Sequence, residues 1–190
     1  MNQQLRLFLG IPLPHKIVSK IISFQQKQTI ENIRWTAKDN LHITLVFIGN
    51  RDAEELPRIN QLISDYTASI KPFNLRIKEY EWAPPSRPYM IWLSFIRNQY
   101  FESICYDLHR ILNVPITHET ITPHITVARV KNFKNIASLN KDFKNGHNIK
   151  GTIIRVKTFI LWQSILKSDG PQYIPLHTYN LMAAEGTNEN

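Results

Sequence analysis

The chain has 190 residues, of which 43% are hydrophobic and 20% charged, and its formal net charge at pH 7 is +8. That length suffices for one sizeable core, or for two small lobes that share one, and the composition is typical of a soluble globular protein. No apolar run approaches the roughly 20 residues of a membrane-spanning helix, no secretory signal is evident, and the single cysteine, Cys105, excludes an internal disulfide. These features predict a cytoplasmic protein that does not associate with membranes, with Cys105 as a small core residue.

The first fifty residues predict a strand, a helix and a second strand. Residues 5–11 are apolar throughout and indicate a central strand. Pro14 then suits the first turn of a helix. The apolar stripe of that helix consists of Ile17, Ile21 and Phe24. Residues 41–49 predict the second strand, which the turn signal Gly49-Asn50 is expected to end.

A second helix and a hairpin are expected next. Asp52 and Glu55 have the spacing of a capping box in front of a helical pattern. The side chains expected on the buried face of that helix are Leu56, Ile59, Leu62, Ile63 and Tyr66. Residues 73–95 alternate between apolar and polar and are interrupted by Ala83-Pro84-Pro85-Ser86, which predicts a hairpin with a long loop.

The second half of the chain predicts two more helices and three more strands. A third helix begins near Asn98, a strand covers residues 123–130, and the last two strands cover about 153–162 and 173–182. The buried face of the third helix consists of Phe101, Ile104, Cys105, Leu108 and Ile111. Between the strands at 123–130 and 153–162 lies a short basic fourth helix with Ile136, Leu139 and Phe143 inward and Gly146 near its end. Residues 183–190 are small and polar and are expected to fray.

No linker divides the chain, so residues 1–190 are expected to form a single domain. Helices and strands mix without regular βαβ units, which favours the α+β class with antiparallel sheets. Each half of the chain contains one strand that begins with histidine, followed by a helix and a pair of strands. The chain therefore predicts a loose internal repetition.

Two short motifs give the chain its chemical character, His42-Ile43-Thr44 and His124-Ile125-Thr126. Alternate side chains of a strand point to the same face, so each histidine shares a face with its threonine while the isoleucine points into packing. A third match, His118-Glu119-Thr120, lies between prolines with too little room for a strand and is interpreted as coincidental. For each motif alone, the structural alternative is a histidine that makes a local hydrogen bond at a strand start; the pair together favours a function.

The residues around the motifs favour metal-free acid–base chemistry. Catalytic zinc usually has three protein ligands, and neither motif supplies a second histidine or an acid at a suitable distance. Free imidazole has a pKa of about 6.5, so one ring can be neutral while another is charged near neutral pH. Threonine hydroxyls beside them could donate hydrogen bonds to an anion in which charge builds up.

Positive charge concentrates directly after the second motif. Residues 129–157 contain eight lysines and arginines, opposed only by Asp142. Such clustering suits a polyanion such as RNA. The alternative is a solvated basic face that merely aids solubility.

The second motif and three further stretches of the chain resemble a known family. The stretches are Arg6-Leu7-Phe8-Leu9-Gly10-Ile11-Pro12-Leu13-Pro14, Ile33-Arg34-Trp35, Pro123-His124-Ile125-Thr126 and Gly170-Pro171-Gln172-Tyr173. Over nearly its whole length the chain resembles the two-histidine phosphoesterases, and most closely the bacterial RNA 2′,3′-cyclic phosphodiesterases once described as RNA ligases. It departs from the family at Gln163-Ser164, where Glu-Ser is expected at a structural position.

The resemblance implies a bilobal fold with two antiparallel sheets, flanking helices and a pseudo-two-fold relation, one motif coming from each lobe of a central cleft. It implies metal-free and cofactor-free hydrolysis of RNA 2′,3′-cyclic phosphate ends to 2′-phosphomonoesters by a monomer. His42 would be the proton donor and His124 the proton acceptor, and Thr44 and Thr126 would bind phosphate.

Two further substrate-binding residues are implied, each five positions after its histidine. Phe47 would stack on a base and Arg129 would clamp phosphate. Strict alternation puts such a residue on the opposite face from the histidine, so a bulge or the strand end must redirect it. The structural alternative for Phe47 is core packing.

Other functions stay open from the sequence alone. They are a non-catalytic nucleotide- or RNA-binding module on the same fold, RNA 2′-5′ end-joining as the reverse reaction, and a structural protein with coincidental motifs. The remaining histidines, His15, His109, His147 and His177, are expected to be surface or packing residues.

Overall fold

A computed structural model describes residues 3–30, 32–85, 88–116, 121–130, 149–168 and 170–182. Within these ranges the chain forms nine strands and three α-helices. The strands are β1 (Gln4–Pro12), β2 (Ile33–Trp35), β3 (His42–Asp52), β4 (Phe73–Ala83), β5 (Met90–Phe95), β6 (His124–Val130), β7 (Ile153–Val156), β8 (Thr158–Lys167) and β9 (Gly170–Asn180). The helices are α1 (His15–Gln26), α2 (Leu56–Thr67) and α3 (Gln99–Ile111), and short 3₁₀ turns cover Lys38–Asn40 and Ala53–Glu55.

The strands form one antiparallel sheet in the order β7-β4-β5-β6-β3-β1-β8-β9, with β2 added beside β6. The order divides into two halves of four strands, β7-β4-β5-β6 and β3-β1-β8-β9. The two strands that carry the histidines, β6 and β3, are the adjacent inner strands of the two halves. The halves meet where β3 pairs with β6. Both motifs therefore lie at the centre of the molecule, one on each side of the boundary between the halves.

Helix packing follows the apolar stripes of the sequence. In α1 the side chains of Ile17, Ile21 and Phe24 are buried, and the Phe24 ring stacks on Tyr80 of β4 at 3.8 Å between centroids. The Asn98 side chain accepts a hydrogen bond from the Phe101 backbone N–H, which fixes the start of α3. None of the described helices is long and apolar enough to cross a membrane.

The predicted α+β class with antiparallel sheets is confirmed, and so are the first strand, the first three helices and the 73–95 hairpin. Cys105 is buried in α3, where burial raises the pKa of its thiol, in keeping with a core residue. The predicted fourth helix, the third His-x-Thr match and the frayed tail lie outside the described residues.

Two expectations about strands are wrong, and one strand was missed. The segment 153–162 is two strands, because β7 pairs with β4 in one half whereas β8 crosses to pair with β1 and β9 in the other. Gly49 does not end β3: with a φ of +82° it lies at an irregularity in the register, and pairing with β1 continues to Asp52. The three residues of β2 were not expected as a strand; they are too few to show a period.

Candidate active site

The two motifs face each other across the central strand pair. Ile43 lies opposite Ile125, and both side chains are fully buried. This is the one pair that joins β3 and β6 among the described residues, and extending its antiparallel register places His42 opposite Thr126 and Thr44 opposite His124. In a regular antiparallel pair, directly opposite residues have Cβ atoms about 4.5–5.5 Å apart and diagonal ones about 7–8 Å. The two histidines thus occupy one diagonal of a four-residue square on one face of the sheet, and the two threonines occupy the other.

Both motif strands contain a β-bulge directly after the threonine. Between the pairs Gly10–Thr44 and Leu9–Val46, β3 advances by two residues while β1 advances by one. Between Trp92–Thr126 and Ile91–Ala128, β6 does the same against β5. The extra residue shifts the alternation, so that later side chains exchange faces. The bulge required by the sequence argument is confirmed in both strands.

The bulges turn Phe47 and Arg129 away from the core. Phe47 is 62% exposed, which rules out core packing, and its ring lies 6.0 Å from that of Phe8. The Phe8 ring in turn lies 4.8 Å from the His42 ring. Arg129 is exposed, and its guanidinium contacts the Met90 sulfur at 3.1 Å.

The two histidines are held in the same way. His42 Nδ1 lies 2.8 Å from the Asn40 carbonyl oxygen, and His124 Nδ1 lies 2.9 Å from that of Thr122, in each case two residues earlier. A carbonyl oxygen only accepts, so Nδ1 carries the proton in both rings. In a neutral ring Nε2 is then an acceptor, and Nε2 of His42 accepts a hydrogen bond of 3.1 Å from the Thr44 hydroxyl.

The surroundings of the two rings differ. His42 is packed among Phe8, Tyr173 and Trp162, whose ring centroids lie 4.8, 5.3 and 5.7 Å away. His124 instead stacks on the face of Trp92, with centroids 3.8 Å apart and planes 19° from parallel. His42 is thus enclosed by several aromatic rings, whereas His124 lies on an indole face.

Burial lowers the pKa of His42 to about 4, from an ordinary value of 6.5. The hydrogen bond to the Asn40 carbonyl opposes this shift, and the positive charge of His124 adds to it. That charge effect links the two rings electrostatically, in keeping with their diagonal placement. In the absence of an anion, His42 is therefore neutral at neutral pH.

Two neighbours hold the His42 side of the site in place. The Asn40 side chain donates a hydrogen bond of 2.7 Å to the Pro171 carbonyl, which ties the turn before β3 to β9. Gly10 lies where a Cβ atom would be 2.6 Å from the Ile43 carbonyl oxygen and 3.4 Å from the His42 ring. Only glycine lets β1 approach β3 this closely.

Sequence reasoning missed Trp92, Tyr173 and Gly10 as parts of the site. Tyr173 and Gly10 lie within stretches that carry the family resemblance, which was the one available signal for them. Trp92 is an ordinary strand residue in sequence. Its contact with His124 arises from the pairing of β5 with β6, a long-range feature.

The other histidines of the described residues lie away from the square. His15 and His177 are exposed, and His109 Nδ1 lies 3.1 Å from the Val114 carbonyl oxygen, so the surface or packing interpretation is confirmed for these three. His147 lies outside the described residues. Within the described ranges no group of three or more histidine, cysteine, aspartate or glutamate side chains gathers as metal ligands would.

Residues 23–163 match the 2′-5′ RNA ligase superfamily. The chain belongs to that superfamily. It is 30% identical over 172 residues to an RNA 2′,3′-cyclic phosphodiesterase of Methanocaldococcus jannaschii. The aligned region covers 89% of this chain and 96% of the relative. Membership confirms the resemblance to two-histidine phosphoesterases and the expectation of an enzyme of the phosphodiesterase class.

Solved structures share the fold. E. coli LigT in its apo form superposes with a TM-score of 0.74 at 24% identity, covering 95% of this chain and 99% of LigT. LigT complexed with 3′-AMP has a TM-score of 0.71 at 25% identity, with the same coverage. The fold of this chain is thus that of LigT.

Proposed function

We propose that this protein hydrolyses the 2′,3′-cyclic phosphate ends of RNA to 2′-phosphomonoesters, by acid–base catalysis between His42 and His124 without a metal ion. The observation that carries the proposal is the square of two imidazoles and two hydroxyls on one face of β3 and β6. Superfamily membership supports it, as do the name of the archaeal relative and the 3′-AMP complex of LigT.

The reaction needs one proton acceptor and one proton donor on opposite sides of phosphorus. In the roles that the family resemblance implies, His124 takes a proton from water as its oxygen bonds to phosphorus. The bond from phosphorus to O3′ breaks, and protonated His42 gives its proton to that oxygen. A 3′-hydroxyl and a 2′-phosphomonoester result. Each positioned proton transfer is typically worth about 10²–10⁴-fold in rate.

His42 must gain a proton before it can donate one. It is neutral in the free protein because burial lowers its pKa to about 4. A cyclic phosphodiester brings a negative charge into the square, and a nearby opposite charge raises the pKa of an imidazole. Substrate binding would thus protonate His42, so that His42 donates a proton only in the complex with substrate.

The remaining site residues bind substrate in this proposal. Thr44 and Thr126 donate hydrogen bonds to the non-bridging phosphoryl oxygens, where charge builds up in the transition state. Arg129 contacts the same phosphate, and the exposed Phe47 ring stacks on the terminal base.

The test is incubation of an oligonucleotide that ends in a 2′,3′-cyclic phosphate, in excess EDTA, with identification of the product. We expect steady turnover to the 2′-phosphomonoester. Turnover that stops in EDTA would contradict the metal-free mechanism, and a 3′-phosphomonoester would contradict the assignment of the leaving oxygen. Binding without turnover would support the non-catalytic module, and formation of 2′-5′ joined products with a 5′-hydroxyl oligonucleotide would reveal the reverse reaction.

A further inference from the structure

Three exposed arginines, each on a different strand, lie around the square. Arg34 of β2 lies directly opposite Arg129 of β6, and both side chains are exposed. Their Cβ atoms are therefore about 4.5–5.5 Å apart, a position in which like charges destabilise a sheet unless an anion lies between them.

The third arginine belongs to β1. Arg6 precedes Phe8 by two residues and so projects from the same face, where the Phe8 ring packs on His42. The Arg6 side chain is exposed. It thus flanks the aromatic group that encloses the proposed proton donor.

Tyr173 of β9 connects the three. Its ring meets that of His42 edge-on at 5.3 Å between centroids. Burial raises the pKa of the Tyr173 hydroxyl, while the positive charges of Arg129, Arg6 and Arg34 oppose that shift. All three guanidinium groups are therefore within electrostatic range of one hydroxyl beside His42.

No carboxylate of the described residues neutralises these arginines. The ion pairs of that part of the chain join Lys78 to Glu79 and Glu81, Arg97 to Glu102, and Arg110 to Asp107. Arg129 contacts only an uncharged sulfur among the described side chains. The group carries three positive charges, whereas a cyclic mononucleotide phosphate supplies one negative charge.

We propose that Arg6 and Arg34 bind the phosphodiester that precedes the terminal nucleotide of single-stranded RNA, next to the cyclic phosphate held by Arg129. The proposal rests on the function proposed above and makes it more specific. The substrate is an oligonucleotide, and the enzyme selects it over a cyclic mononucleotide because RNA repeats a negative charge at every nucleotide.

The experiment compares kcat/KM on two substrates, 2′,3′-cyclic AMP and a trinucleotide that ends in the same cyclic adenosine. In the R6Q/R34Q variant we expect the preference for the trinucleotide over the mononucleotide to fall at least tenfold. The salt dependence of kcat/KM on the trinucleotide should also become shallower, by about 0.7 in the log–log slope for each phosphate of the single strand that the variant no longer neutralises.

Two control variants separate charge from other effects. R6K/R34K keeps the charges and should retain most of the preference. R58Q removes an exposed arginine of α2, a helix that contains none of the site residues, and should change neither the preference nor the slope.

An equal loss on both substrates would overturn the inference, because the arginines would then act on the cyclic phosphate or on folding. An unchanged preference would also overturn it. Failure of the proposed function is a separate result: the unaltered protein would then turn over neither substrate.

Discussion

At the scale of single residues, the site combines two identical restraints with two unlike surroundings. Each histidine ring is fixed through Nδ1 by the carbonyl oxygen two residues earlier, so that Nε2 is the nitrogen able to exchange a proton, and in His42 it accepts a hydrogen bond from the Thr44 hydroxyl. Aromatic rings enclose His42, while His124 lies flat on Trp92. This asymmetry makes His42 the ring that is neutral until an anion arrives.

The protonation of His42 can be measured directly. In imidazole-labelled protein we expect the His42 ring to titrate by NMR with a midpoint of about 4, below its ordinary 6.5, because burial disfavours the charged ring. Addition of a 2′-nucleotide, the proposed product, should move the midpoint up by at least one unit. A ring that stays neutral with the nucleotide bound would contradict its role as proton donor.

The same shift predicts how stability depends on pH. Between pH 6.5 and about 4 the unfolded chain takes up a proton at His42 that the folded chain does not, so the free energy of unfolding falls as the pH falls. After allowance for the partial exposure of the ring, we expect a loss of about 1–2 kcal/mol, or about 2–8 °C in Tm, that the H42N variant lacks. H177N, at an exposed position of β9, should lose stability over this range as the unaltered protein does.

Gly10 is predicted to affect catalysis because there is no room for a side chain between β1 and the His42 ring. Its Cβ-bearing replacement, G10A, would push against the Ile43 carbonyl and the His42 ring. We expect a loss of about 1–3 kcal/mol in stability, as for other overpacked sites, and at least a tenfold fall in kcat. G151A serves as the control. A φ of +78° makes a side chain there strained, but no non-adjacent atom of the described residues lies within 4 Å of the added Cβ, and Gly151 is not part of the square. Stability should therefore fall while kcat is kept. Equal kcat values for the two variants would refute the positioning role of Gly10.

The His-x-Thr faces were predictable from the sequence because alternation is a local property of a strand. The neighbours of those faces were not. Gly10, Trp92 and Tyr173 reach the histidines through pairings between segments far apart in the chain, and a single sequence does not specify those pairings.

At the scale of the element, the two bulges decide which side chains belong to the site. Each adds one residue after the threonine, Leu45 in β3 and Val127 in β6. Both extra residues are buried, and the residues two positions later, Phe47 and Arg129, are exposed. The sequence showed that alternation had to break, but not where. The two bulges lie at equivalent positions, and so Phe47 and Arg129 occupy equivalent places in the two halves.

Substitutions at Phe47 and Leu45 test this division. F47A removes an exposed ring, so stability should stay within about 0.5 kcal/mol. The KM for the cyclic-phosphate oligonucleotide should rise about tenfold or more, because stacking on an aromatic ring is worth about 1–3 kcal/mol per base. L45A should instead cost about 2–5 kcal/mol of stability, as expected for a fully buried leucine. A large stability loss in F47A with unchanged KM would show that Phe47 is a packing residue.

At the scale of the whole molecule, the active face depends on how the two halves are joined. The buried pair Ile43 and Ile125 lies directly beneath the square, at the boundary between the halves. The crossing from β7 to β8 connects them a second time. Composition and strand patterns predicted antiparallel halves, but not this crossing, since the apolar run through residues 153–162 contains no break that marks a change of partner.

The joined halves are predicted to unfold together, with the Ile43–Ile125 contact supporting activity. I43A and I125A should each lower stability by about 2–5 kcal/mol, with a coupling of at least 0.5 kcal/mol in a double-mutant cycle, and each should lower kcat. I154A, in β7 at the far end of the sheet, removes an equally buried side chain and should cost stability without affecting kcat. Two separate unfolding transitions in urea, or an equal kcat loss in I154A, would contradict this view of the boundary.

The most direct test of the central claim is the rate of cyclic-phosphate hydrolysis in H42A, H124A and the double variant, with H109A as a histidine control from α3. If both rings act on one phosphorus, each single variant should lose about 10²–10⁴-fold in kcat/KM. The double variant should lose little more than the worse single one, because groups that act as a unit are not additive. H109A should keep its activity, and all four should show a cooperative unfolding transition. Substantial activity in either single variant, or losses that multiply in the double variant, would contradict the account.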